Sequence, residues 1–229
     1  MTERTATLPY LLLLLTVVAG AVDAISFLAL GHVFVVNMTG NIVFVGFAAA
    51  GVTEISLSAT LTAVAAFLAG STIGGRLSRY FADERLLSMA AAGKIVLVVL
   101  ALIVIVAGHA SLAGGRREIV IALLALAMGL QNASARRVGF ADLTTTVLTM
   151  TLTALAADSP LGGGSNPRWM WRLLSVGAML AGAFAGGLCI LRAGIAAALA
   201  FVLVLLTITA LLGHFAFRAA PHAASQGEA

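Results

Sequence analysis

Asp23 and the run Asn37-Met38-Thr39-Gly40-Asn41 are the residues whose chemistry least suits their surroundings in this chain. Each lies in otherwise apolar sequence, where a carboxyl, a hydroxyl or a carboxamide presents donors and acceptors that hydrocarbon cannot answer. A second set follows later, with Gln131 and Asn132 side by side and Thr145 and Thr149 beyond them. A carboxyl at membrane depth can take up and release a proton, and fixed amides and hydroxyls can hold a polar solute. Asp23 is accordingly the expected proton-coupling group. Asn37, Thr39, Gly40, Asn41, Gln131, Asn132, Thr145 and Thr149 are the expected substrate-binding set, with Gly40 permitting a bend or a close approach of backbone to ligand. Arg136 offers a structural alternative, because an ion pair with Asp23 would quiet both charges.

Bond-making chemistry has no comparable support. The sequence holds no Ser/His/Asp arrangement, phosphate loop, dinucleotide fingerprint or paired catalytic carboxylates, so no enzyme activity and no cofactor are expected. His32, His109, His214 and His222 lie far apart or in a polar tail, and Cys189 is the single cysteine, so neither a metal site nor a disulfide is expected. Basic residues occur singly or in pairs between apolar runs, the pattern of topology determinants, and no nucleic-acid partner is expected.

The elements that must position these groups follow from composition. Of the 229 residues 61% are hydrophobic and 10% charged, and the mean hydropathy is +1.10, which places the chain among integral membrane proteins. Runs approaching the ~20 residues needed to cross a bilayer fall at 8–31, 57–77, 87–108, 117–136, 171–191 and 194–217. Two further segments, 33–51 and 143–157, are interrupted by NMTGN or studded with threonine. Non-helical backbone at membrane depth survives only against protein or a wet cavity, so a broken or re-entrant segment implies such a cavity. The N-terminus imitates a secretory signal, but the apolar run continues through ISFLAL and cleavage is not expected. Pro9 suits the first turn of a helix, and on that start Asp23 lies about 21 Å along it.

The two halves correspond. GAVDA at Gly20 matches GLQNA at Gly129, an offset of 109; Thr39 aligns with Thr149, an offset of 110; Gly70 and Gly74 align with Gly182 and Gly186, an offset of 112. If the two interrupted segments dip in and return, 10 of the 13 basic residues, Lys94 among them, fall on the side of both termini. If all eight segments cross, the division is 6 to 7. Only the first arrangement obeys the positive-inside rule, and it puts both termini in the cytoplasm. The expected fold is an all-α integral membrane protein with six spanning helices, two short broken or re-entrant segments and a two-fold, inverted internal repeat. A single transmembrane domain covers 1–217, with repeats at about 8–108 and 117–217, and residues 218–229 form a polar cytoplasmic tail.

The stretch AGAVDAISFLALGHVFVVNMTGNIVFVG, with GLQNASARR and TTTVLTMTLTALAAD later, resembles the YoaK-like family of bacterial integral membrane proteins. The resemblance covers nearly the whole chain and implies a multi-span protein of the bacterial inner membrane, with no substrate attached. Met150 follows Thr149 where the family pattern has glycine. The functional expectation is a small inner-membrane transporter of a small organic solute, proton-coupled through Asp23. Its partners are the lipid bilayer, the solute and, because so few helices enclose a limited cavity, a second copy in a homodimer. The alternative is a non-transporting scaffold or assembly partner in which the polar residues lock helices together.

Overall fold

The computed structural model describes residues 3–81, 83–109, 112–113, 115–138, 148–166 and 168–218. Their backbone is helical wherever it is regular: α1 (Glu3–Ala29), α2 (Met38–Ala49), α3 (Leu57–Tyr80), α4 (Asp83–Ala107), α5 (Arg116–Val138), α6 (Leu148–Ala157) and α7 (Trp169–Arg218). A helix satisfies its own backbone groups, which is what an apolar solvent demands. Among the described residues five helices, α1, α3, α4, α5 and α7, are long and apolar enough to cross a membrane. Helix α1 begins at Glu3, upstream of the start expected at Pro9, so Pro9 lies inside the helix. Helix α7 has 50 residues and is broken at Gly194, whose φ of 79° and ψ of 179° no helix allows. Only glycine takes this conformation without strain. We call 169–193 and 195–218 its first and second arms.

Contacts fix the direction of each helix. Gly31, just beyond the end of α1, faces the Arg117 side chain at the start of α5, and Gln131 near the end of α5 bonds to Leu15 in the first half of α1. Helices α1 and α5 are therefore antiparallel. Helix α3 runs parallel to α5, since Gly70 meets Leu126 and Gly74 meets Leu130. The first arm of α7 runs parallel to α1, since Gly182 meets Val17 and Gly186 meets Ala21. Trp171 packs edge-on against Tyr10 at 5.4 Å, and His214 lines a cavity with Leu8. Both ends of α7 thus lie beside the start of α1, and α7 is a helical hairpin. The chain between α1 and α3 consequently leaves and re-enters the bundle at one end, with α2 inside that excursion; α6 lies in the excursion at the other end.

The close packing rests on glycine. A Cβ on Gly20 would collide with the backbone of Met179 and Ala183, and one on Gly129 with that of Phe67 and Ser71. The partners of Gly129 are displaced from those of Gly20 by the same 112 positions that separate Gly70 from Gly182. The Val17 and Leu126 contacts, like those of Ala21 and Leu130, differ by the 109 positions that separate Gly20 from Gly129. Small residues at this spacing let backbones approach and trade side-chain volume for dispersion contact. The core of the bundle sits toward the end reached by α1 at Ala29. There Val22 and Ile25 of α1, Ala101 and Ile105 of α4, Ile121 and Leu124 of α5 and Leu199 of α7 are fully buried.

Candidate functional site

The segment between α1 and α2 is held by two side chains. Asp23 is 5% exposed, and its Oδ1 accepts from the amides of Val35 at 3.0 Å and Val36 at 2.8 Å while Oδ2 accepts from Asn37 at 3.2 Å. A carboxylate facing three N–H groups is a charge-assisted clamp on backbone that has no helical partner. Asn41, fully buried, completes it. Its Oδ1 accepts from the Phe34 amide at 3.0 Å and its Nδ2 donates to the Phe34 carbonyl at 2.6 Å, as a neighbouring strand would. Asn37 caps α2, accepting from the Gly40 amide at 3.4 Å. Gly40 leaves room for the Phe34 ring, which a Cβ there would strike at 2.8 Å, and that ring stacks against both Phe27 and Phe44. Asp23, Asn37, Gly40 and Asn41 thus serve the architecture of their own segment.

A cavity with a buried polar group lies elsewhere. A cavity of about 460 Å³ separates the start of α1, the first half of α4, the end of α5 and the second arm of α7. Among its lining groups are Lys94, Gln131, Ser134 and Thr209, set in walls of Leu8, Leu11, Leu12, Leu15 and Leu206. Lys94 is 4% exposed. It stands eleven residues into α4, roughly 16 Å from the start of that helix. Its Nζ donates to Gln131 Oε1 at 3.2 Å, and Gln131 Nε2 donates to the Leu15 carbonyl at 3.2 Å. Gln131 thereby ties three helices together and aims its oxygen at the amine. The Ser134 and Thr209 hydroxyls donate to helix carbonyls one turn back.

The expected substrate-binding set is not assembled in one place. Gln131 alone of that set lines the cavity. Asn132 is half-buried one residue along α5, Thr39 is exposed on α2 and Thr149 is exposed on α6, while Thr145 lies outside the described residues. Arg136 is exposed near the end of α5 and makes no ion pair with Asp23. The reason is geometric. The helices are antiparallel, so Asp23, far along α1, and Arg136, far along α5, sit at opposite ends. Lys94 requires a second correction: counted in the sequence as a basic residue of the cytoplasmic side, it is instead a buried residue of a helix interior. A lone cation inside an apolar run was the available signal for it.

A family model described as "Protein of unknown function (DUF1275)" matches residues 11–212. The chain is 37% identical over 148 residues to "UPF0700 transmembrane protein YoaK" of Bacillus subtilis (strain 168), an alignment that takes in 65% of each chain. The chain thus spans about two thirds, 65%, of the length of that curated relative. No solved structure matches it.

Proposed function

Because the chain belongs to the DUF1275 family, whose description names no activity, we propose its function from the cavity: a small membrane carrier that binds an organic solute between α1, α4, α5 and the second arm of α7. The observation that carries this reading is Lys94, a buried lysine at the inner end of a cavity, with no carboxylate to answer it among the described residues. Ionisable groups at membrane depth are costly and mark solute or ion paths. The same four helices that part around the cavity pack tightly at their other ends, as one face of an alternating-access site would.

The paired glycine contacts support a duplicated architecture. Gly20 and Gly182 are to the α1 and α7 interface what Gly129 and Gly70 are to the α5 and α3 interface. Antiparallel directions for α1 and α5 make that duplication an inverted one. The proposal includes a bacterial inner-membrane location with the cavity mouth and both termini facing the cytoplasm. Arg76, Arg79, Arg136, Arg137, Arg168 and Arg172 cluster at that end, against Arg116, Arg117 and Arg192 at the other. Asp23, turned toward the backbone of residues 35–37, has no part in solute binding here. The three amides it holds favour a scaffold role for α2 alone.

Thiol accessibility tests the carrier. Thr209→Cys, in the cavity, and Ala101→Cys, in the packed end, are each placed in a Cys189→Ala background and exposed to an impermeant thiol reagent from either side. A carrier labels at Thr209→Cys from the side of the termini and at Ala101→Cys, more slowly, from the opposite side. An Ala101→Cys variant inert from both sides would remove alternating access and leave a static assembly.

A further inference from the structure

The cavity has a chemical bias that narrows its occupant. Lys94 is the single lysine of the chain. An ammonium carries three donors, and in the described structure one bond, to Gln131, is made. The walls around it are leucine, contributed by α1 at Leu8, Leu11, Leu12 and Leu15 and by α7 at Leu206. Along the seam between α4 and the second arm of α7 the lining residues Ser88, Ala92, Thr207 and Leu211 are also exposed. The cavity is therefore reached from a side that faces an apolar medium as well as from the end of the bundle.

We propose that the occupant is an amphipathic organic monoanion, with its anionic head on Lys94 Nζ and the Gln131 amide and its apolar body along the leucine walls; this rests on the carrier reading of the cavity. Each alternative leaves a cost in place. A neutral solute offers Lys94 no counter-charge, and a cation is repelled by its protonated form. A small inorganic anion leaves the leucines lining water. A dianion brings one charge more than the site answers, because Lys94 is the one basic group among the described buried residues. An ionised head attached to an apolar body meets both halves of the lining at once. The Ser134 and Thr209 hydroxyls would serve the head only by turning their hydrogens away from the helix carbonyls they now bond.

The probe is octanesulfonate, which stays ionised and does not cross a bilayer in neutral form. Its binding is measured at equilibrium on the full chain in lipid nanodiscs, with empty nanodiscs subtracted. The expected result is saturable binding near one per chain, displaced by octanoate and dodecanoate but not by octanamide or octylamine. Lys94→Met should weaken it at least tenfold, with Lys94→Arg closer to the parent chain. A second readout needs no variant: acetylation of Lys94 by acetic anhydride, followed by mass spectrometry, should slow severalfold with octanesulfonate and stay unchanged with octanamide. Equal displacement by octanamide or octylamine, binding that survives Lys94→Met, or no protection of Lys94 would each overturn the anion assignment. Uptake by proteoliposomes separates this from the carrier reading. Binding without uptake keeps the anion site and removes transport; uptake of octylamine or octanamide, with no octanesulfonate binding, keeps transport and removes the anion.

Discussion

The Val36 amide donates to Asp23 Oδ1 at 2.8 Å, across thirteen residues of sequence. That bond, with its neighbours from Val35 and Asn37, turns an intramembrane carboxyl into the fastening of the chain between α1 and α2. Asp23→Ala strands three amides and should lower stability by about 2 to 4 kcal/mol. Asp23→Asn keeps an oxygen for Val35 and Val36 but takes the acceptor from Asn37, so about half that loss is expected. Thermal unfolding in detergent measures both. Equal melting of parent and Asp23→Ala would mean that the clamp carries no weight.

Asn41 makes a reciprocal pair with Phe34, accepting from its amide and donating to its carbonyl. Asn41→Asp retains the acceptor and sets an oxygen against the Phe34 carbonyl. We expect it to destabilise more than Asn37→Ala, which gives up one long cap bond of 3.4 Å at an exposed site. Limited proteolysis between residues 30 and 40 reports the order; a larger effect at Asn37 contradicts it.

Glycine packing gives matched predictions in the two halves. Gly182→Ala and Gly70→Ala push a methyl into the backbone of Val17 and Leu126 respectively and should each cost about 1 to 3 kcal/mol or more, by similar amounts. Gly75→Ala and Gly177→Ala enter open space and should be neutral or gain up to about 1 kcal/mol from helix propensity. Melting curves of the four variants decide, and a benign Gly182→Ala would contradict the contact.

Replacing Lys94 separates a binding group from a structural one. Met fills a similar unbranched shape without the charge, so Lys94→Met should raise the melting temperature, by roughly 2 to 4 °C for each kcal/mol gained in a chain of this size. Stability gained where activity is lost marks a functional site. A fall in melting temperature would make the bond to Gln131 a structural tie.

Sidedness is a direct consequence of the helix directions. Glu54→Cys, between α2 and α3, should react from the same side as Arg116→Cys and from the side opposite Ser78→Cys, all in the Cys189→Ala background. Reaction of Glu54→Cys from the side opposite His32→Cys, which lies between α1 and α2, would mean that the α2 segment crosses the membrane.

The long helices were legible in the sequence because a span announces itself by length and hydropathy. Most boundaries fall within a few residues of those expected, except at Pro9, where propensity marked a start that the helix ignores, and at Gly194, where one glycine joins two expected spans into α7. The close helix contacts at Gly20, Gly70, Gly129 and Gly182 were legible, since such approach tolerates no larger residue there. The site was much less so. Sequence spacing cannot reveal a carboxylate that serves backbone amides, so the bonds of Asp23 to residues 35–37 were not legible. Lys94 was misplaced for a different reason: it was counted with the basic residues of one side although it lies inside the apolar run, and a helix that begins at Asp83 carries it into the interior. Gln131 was found because an amide in an apolar helix is conspicuous, but its partners on α1 and α4 come from parts of the chain that no local pattern connects.

Gly194 also sets the mechanics of the second arm of α7. About 20 residues separate it from His214, a lever of roughly 30 Å at helical rise. With its fulcrum at one glycine, a swing of about 10° would carry the His214 end some 5 Å, on the order of the helix radius with its nearest side-chain atoms, while leaving the packed end almost still. The arm is thus geared so that small torsional changes at one residue become a wide gap at the mouth and almost none at the floor.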